Sequence, residues 1–566
     1  MRSRYWTFAA ALSLGACTTL PSPATNAPGM VSAADPRAAE AGAAMLRQGG
    51  SATDAALATL LALTVVEPQS SGIGGGGFLV ASNARGNVVT YDGREEAPAA
   101  ATPLWFYKDG APITPRDAVP GGKSVGVPGN VRMMALAHRA HGKLAWKALF
   151  SPAITLASQG FVITPRMRSM LSRSRELAAL TPEGRNLFFA ADGQPLPVGT
   201  RVKNPRLAAF LTDLANRGPD SFYVGPNAQA IAAAVRSAPR NPAAMTPGDL
   251  AAYDAKARDP VCGSYRGHRV CGMGPPSSGA TTVFAILKQL ERFDLAALGP
   301  NSPAAWHLIA ESMRLAYADR DMYLADADHV AVPVAGLTDP AYLAQRSALI
   351  ASDRTMNSVA AGRPAGSRQM ALSAQPVEQG TSHFVATDRA GNVASLTSTI
   401  EGPFGSGLMV NGYYLNNELT DFNIIPAVNG VATANRVEAG KRPRSSMSPT
   451  IVFSPGGRVR LAVGAAGGAT IIAQVAKAII GVVDWRLSAQ DAIALPVLYS
   501  PGATVYIEKG SAHEAMIPAL MALGHKVEVR EPGFKANAIE WVASAQGGGR
   551  WVGAADPRSE GASIGE

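Results

Sequence analysis

Apolar positions along this chain follow a few rhythms, and each rhythm predicts an element. Asp35-Pro36 opens the folded part: an aspartate at the cap and a proline at the first helical position predict a helix start, and the helix runs through Met45 and Leu46 to Gly49-Gly50. Ser51 caps a second helix, with Asp54 three residues on in capping-box spacing, continued by Leu57, Leu60, Leu61 and Leu63. Glycine-rich Gly72 to Gly77 leads into two β runs, Phe78 to Ala81 and Val88 to Tyr91, with a turn at Asn83 to Gly86. Helix, helix, glycine loop and hairpin predict a layered α-over-β start. From about 130 to 350 the pattern is mainly helical; over Trp306 to Tyr323, residues Ile309, Ser312, Met313, Ala316 and Tyr317 share one face at helical spacing. The stretch Ala360 to Ala374, rich in Gly, Ser, Pro and Ala, and the following Gln375 to Gly380 read as loose and exposed. A second hairpin starts abruptly after it: Ser382 to Thr387, a turn at Asp388 to Asn392, then Val393 to Ile400. A strand that begins just past a protease-accessible tail is the pattern expected of a processing site.

Composition sharpens this picture. With 566 residues, 47% apolar and 16% charged, the chain can bury a large core and lies far from the disordered regime. The formal charge of +9 is mild over that length, and the densest basic cluster, Lys441-Arg442-Pro443-Arg444, has no interleaved aromatics. The charge therefore reads as a solvated surface, not a nucleic-acid site. At the N-terminus, Arg2 and Arg4 precede an apolar run from Trp6 to Leu14, too short to span a bilayer stably. It ends in Leu14-Gly15-Ala16-Cys17, which resembles a bacterial lipoprotein box; an ordinary cleaved signal with an incidental cysteine is the alternative. The expectation is a signal over 1–16, lipidation at Cys17, a flexible tether over 17–34 and a place in the periplasm or cell envelope. In such an oxidising compartment Cys262 and Cys271, which flank a predicted hairpin turn, are expected to form a disulfide. Metal binding with nearby His268 is the weaker alternative, since the spacing matches no standard zinc pattern.

Two glycine signatures fail on context. Gly72 to Gly77 fits G-x-G-x-x-G, but a helix precedes it and a strand follows, the reverse of a dinucleotide site. Gly122-Lys-Ser124-Val-Gly126 spells a hydrolase nucleophile elbow, but Pro128-Gly129 stands where the helix should begin. No H-E-x-x-H or paired C-x-x-C occurs, which argues against catalytic zinc.

The segment Gly380-Thr-Ser-His-Phe384, with Asp388, Gly391-Asn392 and Thr397-Ser-Thr399, resembles the start of the small subunit of γ-glutamyltransferases, which are N-terminal-nucleophile hydrolases. The likeness continues through Phe404-Gly-Ser-Gly407, Leu415 to Phe422, Lys441 to Pro449, Gly464 to Ala469 and Gly553 to Arg558. In the first half it includes Val66-Glu-Pro-Gln-Ser-Ser-Gly-Ile-Gly-Gly-Gly-Gly-Phe78, Arg94 to Pro98, Val127-Pro-Gly129 and Tyr317-Ala-Asp-Arg320.

The resemblance implies a four-layer αββα sandwich built from two autoproteolytic fragments, a large one over 35–380 and a small catalytic one over 381–566. Thr381 would attack the carbonyl of Gly380, and the ester so formed would hydrolyse. The freed α-amine, with an ordinary pKa of about 8 against about 10.4 for lysine, would then serve as general base beside the Thr381 hydroxyl. By position, Thr399 would orient that hydroxyl, and Gly467 and Gly468 would supply the oxyanion hole. Arg94, Ser445 and Ser446 would hold the α-carboxylate of a γ-glutamyl group; Asp421, with Glu401 and Glu418, would hold its ammonium. His383 reads as structural. The segment Phe422 to Gly440, a lid in some relatives, looks shortened. Implied substrates are glutathione and related donors, with water, amino acids or dipeptides as acceptors, and no metal or organic cofactor. Two rivals are a glutaryl-type β-lactam acylase of the same superfamily and an uncleaved, inactive lipoprotein that binds γ-glutamyl compounds.

Overall fold

The computed structural model describes residues 27–372, 380–531, 533 and 535–566. The signal, Cys17 and the stretch from Gln375 to Gln379 lie outside the described residues.

Thirteen strands form the two main sheets: β1 Met30–Ala33, β2 Gly76–Ser82, β3 Val88–Gly93, β4 Lys256–Arg258, β5 Val261–Tyr265, β6 His268–Gly272, β7 Ser382–Thr387, β8 Val393–Thr399, β9 Thr450–Phe453, β10 Val459–Ala466, β11 Lys535–Ala543, β12 Gly549–Ala555 and β13 Ala562–Gly565. One sheet has the order β13-β1-β7-β8-β2-β3-β4 and the other β12-β11-β10-β9-β6-β5. Neighbours are antiparallel throughout. The principal helices are α1 Pro36–Arg47, α2 Ala52–Val66, α3 Asn130–His141, α4 Gly279–Leu290, α5 Pro303–Tyr323 and α6 Thr470–Val483.

The caps form as their residues predict. Asp35 accepts from the Arg37 N–H with Pro36 in the first turn, and Ser51 and Asp54 make a reciprocal capping box. Helices α1 and α2 cover the outer face of the seven-stranded sheet and share a core with Leu79, Tyr91, Phe384, Ala386 and Leu396. The alternate residues Phe78, Val80, Val385 and Val393 point the other way. They pack with Ile451, Val463 and Ile539 of the second sheet and with α4, α5 and α6. Strand alternation thus feeds two cores, and β2, β7 and β8 are buried at every position because both faces are covered. This is the αββα sandwich of the N-terminal-nucleophile hydrolases.

The hairpin β7–β8 lies between β1 and β2, so strands from before and after Gly380 alternate within one sheet. Gly75 shows how close the approach is: a side-chain carbon there would lie 2.0 Å from the Thr399 carbonyl oxygen. The glycine run therefore serves packing, with α2 before it and β2 after it.

Two sequence expectations need correction. Residues 30–33 are not tether but β1, paired on both edges with β7 and β13. A four-residue strand is too short for its alternation to stand out from a Pro- and Ala-rich leader. The linker is also less loose than its composition suggests: Pro364 is buried and the Ala371 N–H donates to the Ala432 carbonyl at 2.9 Å, tying the linker to the lid segment. Cys262 and Cys271 face each other across β5 and β6 and form a disulfide. Among the described residues no helix is long and apolar enough to cross a membrane.

Candidate active site

Thr381 stands immediately before β7 and is buried. Its N–H donates to the Ser70 carbonyl at 3.0 Å, and its hydroxyl donates to Thr399 Oγ1 at 3.0 Å. Thr399 Oγ1 also accepts the Glu401 N–H at 2.8 Å, which fixes the acceptor in place. Thr381 adopts φ 97°, a conformation that a β-branched residue rarely holds and that costs on the order of 1–3 kcal/mol. The residue before it has no alternative: a side-chain carbon on Gly380 would lie 1.7 Å from the Glu401 carbonyl oxygen. A buried hydroxyl, a strained backbone and a glycine with no room for a side chain therefore meet at one peptide bond.

Gly467 and Gly468 occupy the turn between β10 and α6, with φ of 122° and 58°. At a helix N-terminus, backbone N–H groups and the helix dipole favour developing negative charge. Ala466, just before them, pairs with Lys535, and the Lys535 ammonium bonds Ser382 Oγ at 3.1 Å. This connection puts the glycine turn at the same end of the sheets as Thr381.

On the other side lies a buried charge cluster. The Arg94 guanidinium bonds Glu418 and Asp421, the Pro443 carbonyl at 3.0 Å and the Arg444 carbonyl at 3.1 Å. Glu95 lies 3.9 Å from Arg94, and Glu401 is held by Asn417 Nδ2. Both Glu95 oxygens and Glu418 Oε2 are buried without a hydrogen-bond partner among the described residues. Burial pushes the Glu95 carboxyl up to about 8, with Arg94 opposing. Glu401 and Glu418 are raised well above the ordinary carboxylate range, first by burial; neighbouring acids add to this, and Arg94 opposes it. Arg94 opposes the rise on all three, and among the described residues four buried carboxyls, those of Glu95, Glu401, Glu418 and Asp421, gather around it.

A family model for γ-glutamyltranspeptidase matches residues 38–566. The glutathione hydrolase proenzyme of Bacillus subtilis (strain 168) is 36% identical over 548 residues, covering 95% of this chain and 91% of that protein. The chain belongs to the γ-glutamyltranspeptidase family. Acylases are similar as well: the acylase ACY 1 proenzyme of Pseudomonas sp. (strain SE83) is 35% identical over 541 residues, covering 94% and 93% of the two chains. The cephalosporin acylase from Bacillus halodurans superposes with a TM-score of 0.83 at 25% identity over 95% of this chain and 96% of that one.

Against this γ-glutamyltranspeptidase frame, the structure brings Thr381, Thr399, Glu401, Glu418, Asp421 and Arg94 into one connected site. It also brings in Ser445 and Ser446, in the segment that wraps Arg94 through the Pro443 and Arg444 carbonyls. Ser446 Oγ accepts from Arg320 at 2.7 Å, and Ser445 Oγ from the Met447 N–H at 3.1 Å. Arg94, expected to hold the carboxylate, pairs directly with Glu418 and Asp421, two of the acids expected to hold the ammonium. His383 is buried against Gly464, bonds Thr397 Oγ1 at 2.8 Å and is pushed down to about 3 by burial, which makes it a neutral packing residue. Sequence reasoning assigned no role to Glu95, Asn417, Glu67, Ser70 or Lys535. Glu95, Asn417, Glu67 and Ser70 lie inside segments carrying the family likeness; Lys535 lies outside them.

Proposed function

We propose that this γ-glutamyltranspeptidase-family enzyme cleaves itself between Gly380 and Thr381 and then transfers γ-glutamyl groups. Thr381 Oγ attacks the Gly380 carbonyl, the amide becomes an ester, and water releases a new chain that begins with Thr381. Its α-amine takes the hydroxyl proton as Oγ attacks the γ-carbonyl of the donor, with the Gly467 and Gly468 N–H groups receiving the oxyanion. The leaving amine departs protonated, and water or an amino acid or dipeptide accepts the γ-glutamyl group from the Thr381 ester. Glutathione is the donor class that the hydrolase relatives' names point to.

The observation that carries this reading is the cluster of buried acids around Arg94. A γ-glutamyl donor brings an ammonium to that cluster and a carboxylate to the arginine. A glutaryl side chain brings no cation, and the nearby acylases make this the second reading to test. Parallel assays with γ-glutamyl-p-nitroanilide and a glutaryl analogue decide: kcat/KM is expected to favour the γ-glutamyl compound by at least about tenfold. Equal or reversed preference rejects the γ-glutamyl assignment. The Cys262–Cys271 disulfide fits export to an oxidising envelope compartment. Mass spectrometry of the mature N-terminus tests the anchor, with diacylated Cys17 expected.

A further inference from the structure

Lys535 opens β11 with its ammonium wholly buried, an unusual position for a lysine unless it is paired. Its Nζ bonds Glu67 Oε2 at 2.7 Å, Ser382 Oγ at 3.1 Å and Ser70 Oγ at 3.3 Å. Ser382 Oγ donates to the same Glu67 oxygen at 2.7 Å. One ammonium therefore ties together the cap of α2, the start of β7 and the start of β11. Two of the three partners adjoin the nucleophile: Ser382 follows it in the chain, and the Ser70 carbonyl accepts the Thr381 N–H at 3.0 Å.

This placement has an electrostatic consequence once Thr381 carries a free amine. A lone carbonyl acceptor such as that of Ser70 favours the ammonium form, which cannot act as a base. The opposing influence comes from the surrounding charges. Glu67, at the C-cap of α2, faces two cations, Lys535 on β11 and Arg166 at 3.7 Å, while Glu560 adds a carboxylate on the Arg166 side by accepting the Arg166 N–H at 3.0 Å; Lys535 is the cation that bonds the residues flanking the amine, Ser70 and Ser382. From the end of β8 come the neutral Thr399 hydroxyl and Glu401, whose carboxyl is raised towards its neutral form by burial. Asp35 acts on Lys535 as a weaker, more distant influence. Burial lowers the Lys535 ammonium to about 8 and Glu67 opposes that fall, so the lysine is mainly charged through the weakly acid range where an α-amine must lose its proton.

We propose that Lys535, clamped by Glu67, is a positioning residue that holds the Thr381 α-amine in its basic, unprotonated form by placing a buried positive charge beside the Ser70 carbonyl. The inference rests on the proposed self-cleavage and adds to it a residue outside the reacting atoms. A purely structural lysine would staple the same three elements without moving any pH profile.

The experiment compares wild type, Lys535→Met and Lys535→Arg, each first checked for two fragments on a denaturing gel. In cleaved Lys535→Met the acid limb of the kcat/KM profile for γ-glutamyl-p-nitroanilide is expected to move up by about one pH unit. That shift means about a tenfold loss on the acid side and little loss on the plateau. Lys535→Arg keeps the charge and is expected to return the limb to near its wild-type position. A cleaved Lys535→Met enzyme whose limb does not move overturns the proposal while leaving the self-cleavage reading intact. A single uncleaved band for wild type overturns that reading instead. Should Lys535→Met fail to accumulate as cleaved soluble protein, ¹⁵N-threonine titration of the α-amine in wild type and Lys535→Arg decides. A pKa clearly below the free value of about 7.7–8.0 in both supports the proposal, and an ordinary or raised value in wild type overturns it.

Discussion

The two halves of the site are built on different physics. At the Gly380–Thr381 junction the decisive features are steric: a glycine with no room for a side chain, a threonine held at positive φ, and two hydroxyls 3.0 Å apart. Around Arg94 they are electrostatic: several buried acids beside its guanidinium, and carboxyl oxygens with no hydrogen-bond partner among the described residues. The first arrangement suits breaking one particular bond in the chain itself. The second suits holding a small zwitterion that arrives from outside. Processing and turnover should therefore respond to different mutations, although both use Thr381.

Thr381→Ala removes what the halves share and has the largest expected effect: one band on a denaturing gel and loss of turnover by at least about a thousandfold. Gly380→Ala should separate the halves on the steric side. The added methyl collides with the Glu401 carbonyl, so cleavage is expected to slow by about a hundredfold or more. Any fragments that do form should turn over donor normally per mole of free Thr381, as counted by N-terminal sequencing. Asp421→Asn should separate them from the other side: normal cleavage, but kcat/KM for a γ-glutamyl donor down about a hundredfold through loss of a buried charge partner. Slowed cleavage of this variant in a pulse-chase would show that the two halves are coupled. Thr399→Ala leaves the Thr381 hydroxyl and the Glu401 N–H without their shared acceptor. A drop in kcat of about ten- to a hundredfold is expected by steady-state assay. The smallest effect belongs to the paired Cys262→Ala, Cys271→Ala change, in the β5–β6 hairpin of the second sheet. It should lower thermal stability by a few degrees, at most about 3 kcal/mol, with kcat/KM unchanged.

Legibility in sequence follows the same division. Local rules read well: the Asp35 and Ser51 caps, the turns at Asn83 and Asp388, and the strands on either side of each depend on neighbours in the chain. The abrupt start of β7 after the linker was legible too, but the roles of Gly380 and Thr381 rested on the family likeness, and the crowding at Gly380 shows only in the fold. The strand β1 was not, since its four residues become a strand only by pairing with segments more than 350 residues away. Nor could sequence show that Arg94 would meet Glu418 and Asp421 or that Lys535 would reach Glu67. Those contacts span more than 300 and more than 400 positions, and side chains of opposite charge carry no mark of which partner they will find.

The central claim is that a liberated Thr381 carries the γ-glutamyl group. Acid-quenched mass spectrometry of the enzyme mixed with a γ-glutamyl donor tests it most directly. A γ-glutamyl adduct is expected on the fragment whose first residue is Thr381. Rapid turnover by an unbroken chain, with no adduct on that residue, would contradict it.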